Sequence, residues 1–206
     1  MPIINEILAD IYTWSEFSDE KQLFFNGYYV VRNKESVIID PPALHQAGML
    51  ELEALMSDKD DCPLKAIFLT NAHHDRTSRA LSKKFSVPVC IHEEDALLLE
   101  FTPDKTFLDG ESGPCGLKVI HLKDQKSPGE SAFLFPDLKV LIVGDALIGK
   151  VPGKVNLLPP DKYRDVTLAK AGLGVLLDQN FEMLLVGDGN CILQGAKKVV
   201  ADFLQE

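Results

Sequence analysis

The sequence predicts an α/β fold in which two mixed β-sheets pack face to face and helices cover their outer faces. First, the 206 residues are 46% hydrophobic, which is enough for one well-buried core. Second, short β-branched and apolar runs of strand length occur in both halves of the chain. Third, stretches with apolar residues at helical spacing follow these runs in each half. We therefore expect a four-layer αββα sandwich, formed by residues 1–206 as a single domain.

The first 40 residues have the pattern of an antiparallel sheet. Asn33 and Lys34 mark a turn between two of its strands, and Pro41 with Pro42 ends the run. The strands are expected at residues 12–17, 27–31 and 36–39. The elements that follow are a helix at 44–56, a strand at 65–69, a helix at 77–85, a short buried strand at 87–91 and a helical turn at 93–99.

The second half of the chain returns to strands. Pro136 and Asp137 mark the turn of a hairpin. Strands are expected at residues 117–122, 131–135, 139–143 and 182–186, with helices at 166–177 and 191–204. Residues 151–162 form the longest irregular loop, and this loop either connects the ends of the sandwich or covers a pocket as a lid.

Composition excludes several classes of partner. The formal net charge of -10, with scattered Lys and Arg residues, disfavours nucleic acid and anionic lipid surfaces. No apolar stretch approaches the roughly 20 residues that span a bilayer, and the N-terminal residues lack the layout of a secretory signal. We expect a soluble cytoplasmic protein. Its four cysteines, Cys62, Cys90, Cys115 and Cys191, lie far apart, which is typical of buried free thiols.

Residues 70–76 read TNAHHDR and directly follow a predicted strand. This segment nearly spells the loop THxHxDH, whose imidazoles and carboxylate can converge on a pair of zinc-like ions. Two of the expected ligands differ. Asn71 offers an amide, which is a poor replacement for imidazole, and Arg76 offers a guanidinium that stays protonated and cannot donate electrons to a metal.

Five landmarks follow one another along the chain. They are VIID ending at Asp40, TNAHHDR, SPG at residues 127–129, GDALIG at 144–149 and VGDG at 186–189. With these landmarks the chain resembles the metallo-β-lactamase superfamily over almost its whole length. The resemblance implies an αββα sandwich that carries its metals at one edge between the two sheets, and a relation to metal-dependent hydrolases.

The resemblance also assigns positions to the family's metal ligands. In chain order these seven positions are Asn71, His73, Asp75, Arg76, Lys126, Asp145 and Asp188. One metal would be served by Asn71, His73 and Lys126. The other would be served by Asp75, Arg76 and Asp188, and Asp145 would bridge the two metals. Only His73, Asp75 and Asp145 keep the residue of the family. Most of the ligand set is therefore replaced.

Charge gives these substitutions a common explanation. The carboxylates of Asp75, Asp145 and Asp188 would share one pocket, and at about 4 Å each like pair costs roughly 4 kcal/mol at an effective dielectric near 20. Arg76 and Lys126 bring two positive charges to the same place. We therefore expect an ion-pair cluster in place of the metal pair, and no cofactor.

An alternative keeps one divalent metal. Carboxylate and amide oxygens suit magnesium, manganese or calcium, and iron and zinc complete the range of candidates. The ligands would be Asp75, Asp145 and Asp188 together with Asn71, and His73 or His74 could join them. The two neighbouring cations would weaken such a site unless their side chains turn away from it.

The sequence gives less specific predictions for the other histidines. His74 takes the variable position of the loop, so we expect a surface residue or a neighbour of the pocket rather than a ligand. His92 ends a predicted strand and could lie near the pocket rim, whereas His45 and His121 have no partner pattern. The motifs GxSxG, GxGxxG and GxxxxGK do not occur, which disfavours a serine hydrolase and a nucleotide-binding site.

Two functions are compatible with these patterns. The first is a metal-free descendant of a metal-dependent hydrolase that binds an unidentified small molecule or acts as a scaffold, with a homodimer as one option. The second is a hydrolase of a small ester, thioester or phosphoester that uses one unusual metal, so catalysis stays an open question. Arg76 and Lys126 separate the two: cations that point into the site favour the first, and cations that turn outward favour the second.

Overall fold

The structure is a computed structural model that describes residues 3–206. Two β-sheets pack against each other and helices cover both outer faces, so the predicted four-layer αββα sandwich is confirmed. No helix among residues 3–206 is long and apolar enough to cross a membrane.

The first sheet contains seven strands that pair in chain order. They are β1 (Asn5–Leu8), β2 (Ile11–Ser18), β3 (Leu23–Arg32), β4 (Glu35–Ile39), β5 (Leu64–Phe68), β6 (Val89–His92) and β7 (Lys105–Phe107). The first four strands run antiparallel to their neighbours, whereas β4 to β7 are parallel. The sheet is therefore mixed, as the sequence predicts.

The second sheet contains four strands in the order β11-β10-β9-β8. They are β8 (Lys118–His121), β9 (Ser131–Phe135), β10 (Val140–Val143) and β11 (Met183–Val186). Strands β8, β9 and β10 are antiparallel, and β11 adds in parallel to β10. Each sheet thus has strands whose carboxyl ends lie side by side.

Four α-helices lie on the outer faces. They are α1 (Gln46–Asp58), α2 (Ser78–Phe85), α3 (Val166–Gly172) and α4 (Ala196–Gln205). Helices α1 and α2 bury Leu52 and Leu81 against the first sheet. The turn after α3 and helix α4 bury Leu173 and Val200 against the second.

The main core lies between the sheets and follows from the two-residue period of the strands. Tyr28 and Val30 of β3 face inward and meet Phe133 of the opposite sheet. The neighbouring residues Tyr29 and Val31 face outward, toward the helices. Both sets are apolar, so β3 is buried on both sides.

Several predicted elements differ from the structure. The final helix begins at Ala196, not at residue 191, because Ile192 pairs with Leu184 of β11 and Gly195 takes a left-handed φ of 64°. The predicted helix at 166–177 ends at Gly172 and continues as a 3₁₀ turn, Leu173–Asp178. Strands β1 and β7 were not predicted, since these short edge strands lack a continuous apolar run.

Candidate functional site

Four strands place acidic or polar residues at one edge of the sandwich. Asp40 follows β4 and Thr70 lies two residues after β5, and these two strands are parallel. Asp145 and Asp188 each lie two residues after the parallel strands β10 and β11. Because the carboxyl ends of parallel strands share an edge, both sheets direct these residues into the same region.

His74 occupies the centre of this edge. It is 2% exposed, with Nδ1 2.8 Å from Asp40 Oδ2 and Nε2 3.5 Å from Asp145 Oδ1. Thr70 fixes Asp40 by donating its main-chain N–H to Oδ1 over 2.8 Å and its hydroxyl to Oδ2 over 2.5 Å. The sequence placed His74 at the surface or beside the pocket, but its ring lies between two buried carboxylates.

The charge of His74 follows from these contacts. Burial and the nearby Arg76 charge lower its pKa, but Asp40 and Asp145 outweigh both and raise the pKa to about 10. His74 is therefore an imidazolium at neutral pH and adds a cation that the sequence did not suggest.

Asp145 binds a second cation. Lys126 Nζ lies 2.6 Å from Asp145 Oδ2, on the other side of the carboxylate from His74. Burial alone would raise the pKa of Asp145, but the hydrogen bond and charge of His74, together with Lys126, lower it below the ordinary value. The carboxylate is ionised between two positive groups.

Asp188 pairs with Arg76. The Arg76 guanidinium donates to Asp188 Oδ1 over 3.3 Å and lies 4.4 Å from the centre of the Phe25 ring. Burial raises the pKa of Asp188 and the Asp145 charge adds to that effect, while His74 and Arg76 act against it. Arg76 thus points into the site, held by one carboxylate and one aromatic face.

Together these residues make a balanced group, here called the ion-pair cluster. Its acids are Asp40, Asp145 and Asp188, and its cations are His74, Arg76 and Lys126. Three negative and three positive groups compensate one another at short range, which is the condition under which buried charges persist.

Glu130 lies next to the cluster as a fourth buried acid. Its Oε1 accepts a hydrogen bond from Asn71 Nδ2 over 3.2 Å, and its Oε2 has no partner in the described part of the chain. Burial, followed by the charge of Asp145, raises the pKa of Glu130 well above its ordinary value. Burial therefore favours the protonated, uncharged form of Glu130 beside the cluster.

The other predicted site residues are only partly brought together. His73 lines the cavity above the cluster, and burial, together with Lys126, lowers its pKa. Neither Asn71 nor Asp75 is among the described residues that line this cavity. Asn71 is buried and accepts from the His73 main-chain N–H over 2.8 Å, while Asp75 accepts from the Arg76 main-chain N–H over 2.7 Å.

The sequence predicts that Asp75, Asp145 and Asp188 share the pocket, whereas the three acids of the cluster are Asp40, Asp145 and Asp188. Asp40 takes the place that the sequence gave to Asp75, because the 3₁₀ turn Ala72–His74 directs His74 rather than Asp75 toward the two sheets. Asp40 was visible in the sequence as the end of the VIID landmark, and Glu130 follows the SPG landmark directly. Neither position carried a ligand in the family pattern, so neither was selected.

A cavity of about 580 Å³ opens above the cluster. Its floor includes Arg76, Lys126, Asp145 and Asp188. Its walls come from the β2–β3 hairpin, from the segment that follows β10 and from residues 158–162 of the long loop. The loop thus borders the pocket, which is one of the two roles that the sequence left open.

His92 and His121 lie outside this site. Their rings stack with centroids 4.2 Å apart, and neither is among the described residues that line the cavity. The expectation that His92 lies at the pocket rim is therefore wrong, and His121 does have a partner. His92, Glu94 and His121 hold possible metal-binding atoms within 4.8 Å of one another.

One further group of donor atoms lies in the cluster itself. His74, Asp145 and Asp188 offer possible metal-binding atoms that lie within 4.8 Å of one another. The metal ligands suggested by the sequence include His73 and Asp75. The group in the structure contains His74 in their place. In the present arrangement His74, Lys126 and Arg76 already occupy the two carboxylates.

Comparisons with known proteins agree with this architecture. A family model described as the metallo-beta-lactamase superfamily matches residues 6–205. The metallo-beta-lactamase from Pontibacter korlensis superposes with a TM-score of 0.77 at 18% identity, covering 98% of this chain and 96% of its own. The metallo-beta-lactamase IND-7 superposes with a TM-score of 0.75 at 16% identity, covering 99% of this chain and 98% of its own.

FIM-1 from Pseudomonas aeruginosa, a metallo-beta-lactamase solved in the mono-zinc form, gives a TM-score of 0.70 at 12% identity, covering 98% of this chain and 94% of its own. At such identities the superpositions establish the fold alone. No curated protein matches the sequence.

Proposed function

The chain belongs to the metallo-β-lactamase superfamily, and we propose that it is a metal-free member that binds a small molecule above the ion-pair cluster. The cluster would do the electrostatic work that a metal pair does in a hydrolase of this fold. It pairs the buried acids with internal cations and holds the floor of the cavity in a fixed shape.

The main support for this proposal is that two cationic side chains point into the site. Arg76 and Lys126 stand at positions that the family resemblance gives to histidine ligands, and both point into the site and hold Asp188 and Asp145. A guanidinium or ammonium has no lone pair for a metal, and its charge repels a divalent ion placed beside it. Inward-pointing cations are the feature that favours a metal-free site.

The donor set does not fit a pair of metals. Asn71 uses both ends of its amide within the protein, since Nδ2 donates to Glu130 and Oδ1 accepts from His73. Together with Arg76 and Lys126, three of the seven ligand positions are thus committed to other contacts.

A second candidate is a single-metal hydrolase of a small ester, thioester or phosphoester. The observation in its favour is that Asp40 contacts His74 Nδ1, which leaves Nε2 facing Asp145 and Asp188. A carboxylate behind a metal-binding histidine is a common supporting contact. These three residues would then hold the ion, and its chemistry would be to lower the pKa of a bound water.

Calorimetric titration with Zn²⁺ and Mn²⁺ tests the choice. The wild-type protein should show no saturable binding that depends on His74, because the acids of the site already have partners. The double variant Arg76→Gln/Lys126→Gln should gain binding of a divalent ion, because Asp145 and Asp188 lose their cations. Arg79→Gln/Lys84→Gln is a matched control, since Arg79 and Lys84 form surface ion pairs with Asp104 and Glu53.

Two results would count against the metal-free proposal. One is saturable binding of a single ion by the wild-type protein that His74→Gln abolishes, accompanied by metal-dependent ester or phosphoester hydrolysis. The other is a double variant that binds no more metal than the control pair, which would mean that Arg76 and Lys126 do not stand in for an ion.

A further inference from the structure

The mouth of the cavity is positively charged although the whole chain is acidic. Five of the described lining residues are Lys or Arg and three are Asp or Glu, whereas the formal net charge of the chain is -10. Arg76 and Lys126 are neutralised within the floor. The rest of the charged lining is Glu16 and three lysines, Lys21, Lys150 and Lys162, so the excess lies with the lysines, which are exposed and come from three separate segments.

These three lysines are available to a ligand. Lys150 has no ion-pair partner among residues 3–206. Lys21 and Lys162 contact only the acids next to them in sequence, Glu20 and Asp161. Exposed pairs of this kind contribute little and exchange easily.

The segments that carry Lys21 and Lys162 lie near each other, and both line the cavity. The pKa of Glu20 is lowered by its hydrogen bond from Lys21 and, more weakly, by the charge of Lys162. Lys162 lies in the 3₁₀ turn Pro160–Lys162 of the long loop, and Lys21 lies in the turn between β2 and β3. The β2–β3 turn and the long loop thus each contribute a lysine to the lining, and Lys150 comes from a third segment.

The walls below this rim are apolar. They consist of Phe17, Leu23, Phe25, Ile148, Leu158 and Pro159. A cavity of about 580 Å³ is within the range of small-molecule sites. Apolar walls with a few charged groups at one end favour a ligand that has an apolar body and a charged group at one end.

We propose that this cavity binds a small organic anion, whose carboxylate or phosphate group lies at Lys21, Lys150 and Lys162 and whose apolar body contacts the walls. The rim is the anion site because the floor cations Lys126 and Arg76 are already held by Asp145 and Asp188, whereas the three rim lysines are not held by the floor. Three ammonium groups on flexible stems suit an anion that they contact as point charges. This inference rests on the proposed binding function and names its class of ligand.

Isothermal calorimetry at low ionic strength tests the proposal with four probes. Phenyl phosphate and benzoate combine an apolar ring with an anion, phenol lacks the charge, and inorganic phosphate lacks the ring. We expect binding of phenyl phosphate, benzoate or both, with phenol and inorganic phosphate at least about tenfold weaker. The order of phenyl phosphate and benzoate distinguishes a phosphate ligand from a carboxylate ligand.

Lysine variants locate the site. Lys21→Gln/Lys150→Gln/Lys162→Gln should weaken binding of the preferred probe by about tenfold or more, and added salt should weaken it in the wild-type protein. Lys83→Gln/Lys118→Gln/Lys123→Gln removes the same charge from exposed lysines that are not among the described lining residues, and it should bind as the wild type does. Circular dichroism verifies that both variants are folded.

Three outcomes would overturn the proposal: no binding of either aromatic anion, an equal loss in both triple variants, or phenol bound as tightly as phenyl phosphate. Failure of the metal-free function is a separate result, because the three rim lysines lie outside the ion-pair cluster. If a wild-type metal site is found and lysine-dependent anion binding persists, the proposed function fails and the anion site stands.

Discussion

Arg76 links the floor of the cavity to its wall. Its guanidinium donates to Asp188 and lies over the Phe25 ring. Its side chain is 15% exposed and that of Asp188 is 10% exposed, so water can replace little of the contact. A buried carboxylate that loses its cation must either stay ionised without a partner or take up a proton.

Arg76→Ala should therefore lower the free energy of unfolding by roughly 1.5–3 kcal/mol at neutral pH. Arg79→Ala is a matched control, because Arg79 pairs with Asp104 at 3.2 Å and lies 5.4 Å from the Phe101 ring, with both side chains of the pair about 40% exposed. The control should lose less than about 1 kcal/mol. Urea unfolding measures both, and equal losses would mean that the Arg76 pair is not structural.

Side-chain direction limited what the sequence could predict at this scale. The family resemblance was enough to select Arg76, Lys126, Asp145 and Asp188. It was not enough for His74, whose ring direction depends on the 3₁₀ turn Ala72–His74, on Asp40 and on Asp145. A spacing rule derived from a metal loop gives the wrong neighbours once the metal ligands are changed, because other contacts then orient the side chains.

At the scale of elements, the end of β11 packs closely against the cluster. Gly187 directly follows this strand, and a Cβ atom there would lie 2.5 Å from His74 Cε1 and 3.2 Å from His74 Nδ1. The second sheet can thus approach His74 only because residue 187 has no side chain.

Gly187→Ala should push His74 away from Asp40 and Asp145 and destabilise the fold by about 1–3 kcal/mol. Gly174→Ala is the control, since a Cβ atom there meets nothing within 4 Å, and its stability should equal or slightly exceed that of the wild type. Thermal and urea unfolding provide the comparison. A Gly187→Ala protein as stable as the control would show that His74 can move freely.

The sequence predicted most of the central strands but not the edge strands β1 and β7. Strands β3, β4, β9, β10 and β11 have the β-branched and apolar runs that mark buried strands. The edge strands β1 and β7 contain Asn, Glu and Lys, so they gave no such pattern. The start of α4 was missed because Ile192 is apolar like a helix residue but pairs with Leu184 instead.

At the scale of the whole molecule, two parallel strand pairs bring their carboxyl ends to one edge, one pair from each sheet. This geometry is what lets residues as far apart in sequence as Asp40, Arg76, Lys126 and Asp188 meet. The family landmarks predicted the fold that produces this edge. A homodimer and a cytoplasmic location stay predictions from sequence.

We propose that internal cations, not a metal, balance the buried acids. Elemental analysis of untagged protein, purified without chelators or metal-affinity resin, tests it most directly. The ion-pair cluster predicts zinc, manganese, iron, calcium and magnesium all far below one ion per chain. Any one of these metals at close to one ion per chain, and lost on mutation of His74, would contradict it.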